Sequence, residues 1–154
     1  MADCIVSQIT QNLKDRLESL STYGGTPTVE LSRLFLNIND RYPYIEIIGP
    51  AVEVETQTHQ VTDSKLEYMI KYYINVNDEN ETENGEITYL TRNVAADIIK
   101  HIMNDVSRGN LAQNTKATDY GWDFEIVGED VEFFVYVVIE IQALIEATDP
   151  YLIG

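Results

Sequence analysis

The chain has 154 residues, 44% of them hydrophobic, with 26 Asp and Glu against 10 Lys and Arg and a formal net charge of -16. That length is one ordinary domain able to bury a core, and the apolar content excludes a disordered chain. The charge disfavours direct binding to DNA, RNA or an anionic membrane, because phosphate recognition needs a basic stripe.

No Lys or Arg lies between Arg41 and Lys65, and none follows Lys116. The acidity therefore repels DNA, attracts a basic partner, or serves solubility alone. One cysteine, Cys4, allows no internal disulfide and fits a reducing cytosol. The N-terminus lacks a basic, apolar leader, and the longest strongly apolar run, Phe133 to Ile139, is too short to span a bilayer. A soluble protein made in a cytoplasm is expected.

Ile5, Ile9, Leu13, Leu17 and Leu20 recur at helical spacing between Gln11, Lys14, Asp15 and Glu18, which predicts an amphipathic helix. Asp3 is placed to cap its start, and Tyr23-Gly24-Gly25-Thr26-Pro27 to end it. Residues 28–41 fit neither period and read as a connector with a short strand near 33–38. From Tyr44 the period becomes two. Tyr44–Ile48 reads as a strand bounded by Pro43 and Gly49-Pro50, and Val52 and Val54 alternate with Glu53 and Glu55 in a half-exposed one. After a polar turn, Thr56 to Ser64, the alternation of Leu66, Tyr68, Ile70, Tyr72, Ile74 and Val76 predicts a long strand with one buried face.

Asp78, Glu79, Glu81, Glu83 and Glu86 mark a self-repelling acidic loop. A second helix is predicted over about 88–106, with Val94, Ala95, Ile98, Ile99, Ile102, Met103 and Val106 on its apolar face and Arg108-Gly109 at its end. The last third reads as a hairpin. Tyr120, Trp122, Phe124 and Ile126 alternate in one strand, and Gly128-Glu129-Asp130 turns the chain. Val131, Phe133, Val135, Val137, Ile139 and Ile141 line one face of the next strand. Phe134, Tyr136 and Val138 make its other face apolar too, which predicts a central strand or a subunit interface. The expected fold class is α+β: a single domain over 1–154, a mainly antiparallel β-sheet with two α-helices packed on one face.

No residue set points to catalysis, a metal or a cofactor. Counted from Asp78 as a calcium loop, the sixth residue is Glu83 and the twelfth Tyr89, where Gly and Glu are needed. Asp97, His101 and Asp105 share a helical spacing, but no second His or Cys completes a zinc set. His59 sits in a polar turn, and Cys4 has no neighbouring base. Nucleophile-elbow, phosphate-loop, dinucleotide and CxxC patterns are missing. Asn80-Glu81-Thr82 matches a glycosylation sequon that a cytosolic chain leaves idle. The 10 tyrosines and Trp122 fit either ordinary strands or interfaces.

Taken in order, these features resemble the tail-terminator (tail-completion) proteins of tailed bacteriophages. The matching features are the opening helix, the Tyr42-Pro43-Tyr44-Ile45-Glu46-Ile47 strand, and the polar hairpin into the Tyr68–Val76 strand. They continue in the long helix running into Arg108-Gly109-Asn110-Leu111-Ala112-Gln113-Asn114-Thr115, then the closing hairpin and Asp149-Pro150-Tyr151. Gly109-Asn110-Leu111 resembles a Gly-Gly-Leu turn of that family, with Asn110 in place of its second glycine.

The resemblance implies a non-enzymatic virion protein made in the host cytoplasm and placed at the head-proximal end of the tail. Such proteins form homo-oligomeric rings, typically hexamers, that stop tail-tube polymerisation and join the head while DNA passes through. The implied partners are the tail tube protein and neck or connector proteins, with no specific nucleic-acid or membrane binding. Under that reading Arg92, Arg108, Asn110, Leu111, Tyr120, Trp122, Phe134, Tyr136 and Val138 are subunit or tube interface candidates. The acidic loop is a candidate lumen lining. A neck or head-completion connector, or an acidic DNA mimic that fills the basic groove of a nucleic-acid enzyme, are the alternatives.

Overall fold

The computed structural model describes residues 3–21, 26–31, 43–74, 87–128 and 130–154. Helix α1 spans Ile5–Glu18 and α2 Ile87–Met103. The strands are β1 (Thr28–Leu31), β2 (Tyr44–Gln57), β3 (Val61–Ile74), β4 (Asn114–Val127), β5 (Asp130–Glu146) and β6 (Asp149–Ile153). They form one sheet in the order β1-β2-β3-β5-β4, with β6 also paired to β5. Candidate positions in the acidic loop, and the strand expected near 33–38, lie outside the described residues.

The expectation of a mainly antiparallel sheet is corrected by this topology. The sheet is six-stranded and mixed, because β1 runs parallel to β2, Thr28 opposite Tyr44 and Leu31 opposite Ile47. Side-chain alternation reports which face a residue takes. It does not report the direction of the neighbouring strand.

The core lies between one sheet face and both helices. Ile5, Ile9, Leu13 and Leu17 of α1 and Val94, Ala95, Ile98 and Ile102 of α2 pack there. They meet alternate residues of the central strands: Leu66, Tyr68, Ile70 and Tyr72 of β3, and Val135, Val137, Ile139 and Ile141 of β5. At the centre, the Tyr68 hydroxyl sits 2.7 Å from Thr10 Oγ1 of α1. Burial pushes the Tyr68 phenol up to about 12.

The two helices are tied by a reciprocal pair of bonds. Arg16 Nε donates to the His101 carbonyl at 3.0 Å, and His101 Nε2 to the Arg16 carbonyl at 2.7 Å. His101, which the sequence placed in an incomplete zinc spacing, thus serves as a latch between helices.

Several local boundaries differ from the sequence reading. Cys4, not Asp3, is the N-cap of α1; Asp3 instead offers its carbonyl to Gln8 Nε2 at 2.7 Å. α2 stops at Met103, and the segment after it is a turn organised by Asp105. The Asp105 carboxylate accepts from the Ser107 hydroxyl at 2.7 Å and from the Gly109 amide at 2.7 Å. Those hydrogen bonds hold Asp105 below the ordinary carboxyl pKa. Gly49-Pro50 does not end a strand. It sits in a register shift within β2, between Ile48 and Ala51.

Gly49 has φ +116, and a Cβ built on it would lie 2.8 Å from the Glu67 carbonyl oxygen across the strand pair. A backbone atom cannot rotate aside as a side chain can, so both strain and collision fall on the β2–β3 pairing. Gly49→Ala is expected to cost about 2 kcal/mol or more of stability, read as a lower urea midpoint at unchanged slope.

Candidate interaction surface

Two regions of the sheet carry the strand residues singled out from sequence, one at the β4 edge and one on the face away from the helices. Strand β4 is paired to β5 from Asn114↔Gln142 to Val127↔Asp130. Among the described residues it has no strand on its other side. Its first half lies under the helix layer, where Thr115 is buried and Ala117 packs on the core. Beyond a register shift between Ala117 and Asp119, the same face leaves that cover. Tyr120 (52% exposed), Trp122 (43%), Phe124 (52%) and Ile126 (71%) form an open apolar row. Trp122 leans on Phe133, ring centroids 5.6 Å apart.

The backbone of this edge is guarded by its own acids. The Tyr120 amide donates to Asp119 Oδ1 at 2.9 Å and the Phe124 amide to Asp123 Oδ1 at 2.8 Å. An open strand edge is a template for another chain, and short polar side chains that occupy its donors are one way of blunting it.

On the face away from the helices, register brings Tyr44, Tyr73 and Phe134 side by side. Tyr73 is 5.9 Å from Tyr44 and 5.4 Å from Phe134 between ring centroids, and all three are buried. Tyr136 packs against this cluster. It crosses Gly121 of β4 so closely that a Cβ there would lie 2.7 Å from its hydroxyl. Lys71 lies 4.6 Å from the centre of the Phe134 ring and reaches Glu125 of β4 at 2.6 Å, spanning strand β5. Glu125 is 39% exposed, so the ion pair is worth about 1 kcal/mol or less. Buried aromatic area is the larger contribution here.

Opposite Lys71 stands Glu46, a carboxylate that is almost wholly buried. Its Oε2 has no hydrogen-bond partner among the described residues, and neither does the Tyr73 hydroxyl. Burial raises the Glu46 pKa, Lys71 opposes that shift, and Glu125 adds to it. Burial likewise raises the Tyr73 phenol, with Glu46 adding to the effect.

The interface candidates therefore separate. Tyr120 and Trp122 lie exposed on the β4 edge, whereas Phe134 is buried and Tyr136 and Val138 are half-buried on the opposite sheet face. Arg92 is exposed on α2. Asn110 is exposed with φ 66, and Leu111 packs against the core.

Arg108 needs a correction. It is fully buried, so its side chain is not part of the exposed surface for which it was a candidate. Its Nη2 donates to the carbonyls of Ile102, in the last turn of α2, and of Asp105, in the turn after it; each carbonyl also accepts a backbone amide. Its Nε and Nη1 have no partner among the described residues, and burial lowers its pKa.

Phe124 and Ile126 belong to the exposed row but were not among the sequence candidates. Their alternation with Asp123 and Glu125 was the signal, and it reads equally well as a buried face. Among the described residues no three His, Cys, Asp or Glu side chains gather as metal ligands would. No protein-family model matches the chain, and no curated protein matches it in sequence.

The native state holds the Glu46 proton more tightly than the unfolded chain. The stability this contributes is full below the ordinary carboxyl pKa and is lost as pH rises through the raised value. Glu46→Gln should remove that loss. Urea midpoints followed from about pH 4 to about pH 8 are expected to diverge in the variant's favour as pH rises. Parallel curves would show that Glu46 carries no such linkage.

Proposed function

We propose that the chain is a structural subunit of a virus particle, of the tail-terminator kind. Copies of it form a ring that seats on the finished tail tube, stops its polymerisation and joins the head, while DNA passes through. The observation that supports a subunit that docks on other proteins of an assembly is the second half of β4. It is a strand end without a second neighbour among the described residues, with four large apolar side chains exposed in a row. A lone chain has no use for such a row. Contiguous exposed apolar surface marks a site where another protein sits. The family resemblance in the sequence supplies the kind of assembly.

The DNA-mimic alternative draws less support. A mimic needs carboxylates left free to imitate phosphates. On the outer sheet face Lys65 lies 3.6 Å from both Glu53 and Glu140, Lys116 is 3.2 Å from Glu140, and Lys71 engages Glu125. Glu53, Glu125 and Glu140 of this face are thus engaged by lysines.

Light scattering across a range of concentrations tests the ring. The expected species has six times the mass of the 17.6 kDa chain. A chain that stays monomeric throughout, and that leaves tail tubes free to elongate in a polymerisation assay, would sink the reading.

A further inference from the structure

We infer that the open edge of β4 receives an extended segment of a different protein, with basic residues four apart on one face and large apolar residues on the other. The inference rests on the reading of the chain as an assembly subunit and names the chemistry of what its exposed edge accepts.

The argument begins with the two guarded amides. Tyr120 and Phe124 lie four residues apart and donate to Asp119 and Asp123 rather than to a second strand. An incoming strand supplies carbonyl acceptors for these amides and displaces both carboxylates. The displaced Asp119 and Asp123 then stand on one face of β4, where the preceding Lys116 is engaged by Glu140 and no Lys or Arg follows it in the sequence. The adjacent Lys71 is engaged by Glu125. Each freed carboxylate is therefore best met by a Lys or Arg on the incoming strand, at the same spacing of four. On the other face, Tyr120, Trp122, Phe124 and Ile126 are matched by apolar side chains at alternate positions.

The same chemistry disfavours a second copy of this chain as the occupant. Its own β4 would set Asp119 and Asp123 against carboxylates. Another edge left open among the described residues, Ala51–Gln57 of β2 beyond the reach of β1, alternates Val52 and Val54 with Glu53 and Glu55. Its apolar residues fit, but its acids do not.

The test uses three synthetic peptides against the full chain. The first alternates valine with polar positions and carries Lys at every fourth residue. The second replaces Lys with Glu. The third is the first with alternate backbone amides N-methylated. Trp122, the only tryptophan, lies in the row and reports docking by its emission, with calorimetry giving affinity.

The lysine peptide is expected to bind with a blue shift of Trp122. The other two should bind at least about tenfold more weakly. Asp119→Asn with Asp123→Asn keeps an acceptor for each amide but removes the charge. It should weaken the lysine peptide about fivefold with an unchanged unfolding midpoint. Equal binding of the lysine and glutamate peptides, no binding of either, or an unaffected double variant would each overturn the inference. So would Trp122→Glu lowering the mass of a self-assembled species, because the occupant would then be a second copy. Absence of a ring by scattering, with the peptide results intact, would count against the ring alone.

Discussion

The pairing of β3 with β5 is the constraint on which the rest of the molecule depends. It runs without a shift from Val61↔Glu146 to Ile74↔Phe133, and it places apolar residues on both faces at the centre. One face takes both helices. The other gathers the Tyr44–Tyr73–Phe134 cluster. Slipping this pair by one residue would exchange the two faces. Leu66, Tyr68, Ile70 and Tyr72 would leave the helices, and Lys65, Glu67 and Lys71 would enter the core. Burying those charges costs far more than any single contact returns, so the hydrophobic pattern of two strands selects the register for the whole sheet.

Charge is handled in two ways around that frame. On the outer sheet face, lysines sit between carboxylates, and half-exposed pairs there contribute little to stability. Within the molecule, Glu46 and Arg108 are buried with polar atoms left unpartnered among the described residues. Each sits where a backbone or packing requirement holds it. Arg108 closes the carbonyl end of α2, and Glu46 lies beside a tyrosine in the aromatic cluster. Charges of this kind are costly to bury.

Both helices and the β4–β5 hairpin were legible in the sequence because their periods are long and clean. Ile5 to Leu17 keep helical spacing over the whole of α1, and Tyr120 to Ile126 alternate without a break. β1 was not legible, since four residues with one buried side chain, Val29, carry too little pattern. β6 escaped for a related reason: its residues are largely exposed, so no alternation of burial marks it. Gly49-Pro50 looked like a boundary because both residues disfavour strands, yet here they make an irregularity that the strand runs through.

At the candidate surface, Tyr120 and Trp122 were legible as strand aromatics. Their exposure was not, because it depends on how far the helix layer reaches across the sheet. The burial of Arg108 was hidden for a similar reason. A charged side chain near a helix end reads as solvated until the turn that encloses it is known.

The irregularities of the sheet are distributed unevenly. β3 and β5 pair without interruption, while β2 carries two register shifts and β4 carries one, between Ala117 and Asp119. Such irregularities bend and twist a strand locally. A strand added along Tyr120 to Ile126 would therefore lose its match to the backbone on reaching that bend. The sheet can accept a short ladder at its margin, but it offers a poor nucleus for the flat, indefinitely repeating stack of a cross-β fibril. For a chain that carries four bare apolar side chains into a crowded cell, that bend is a safeguard against growing into amyloid.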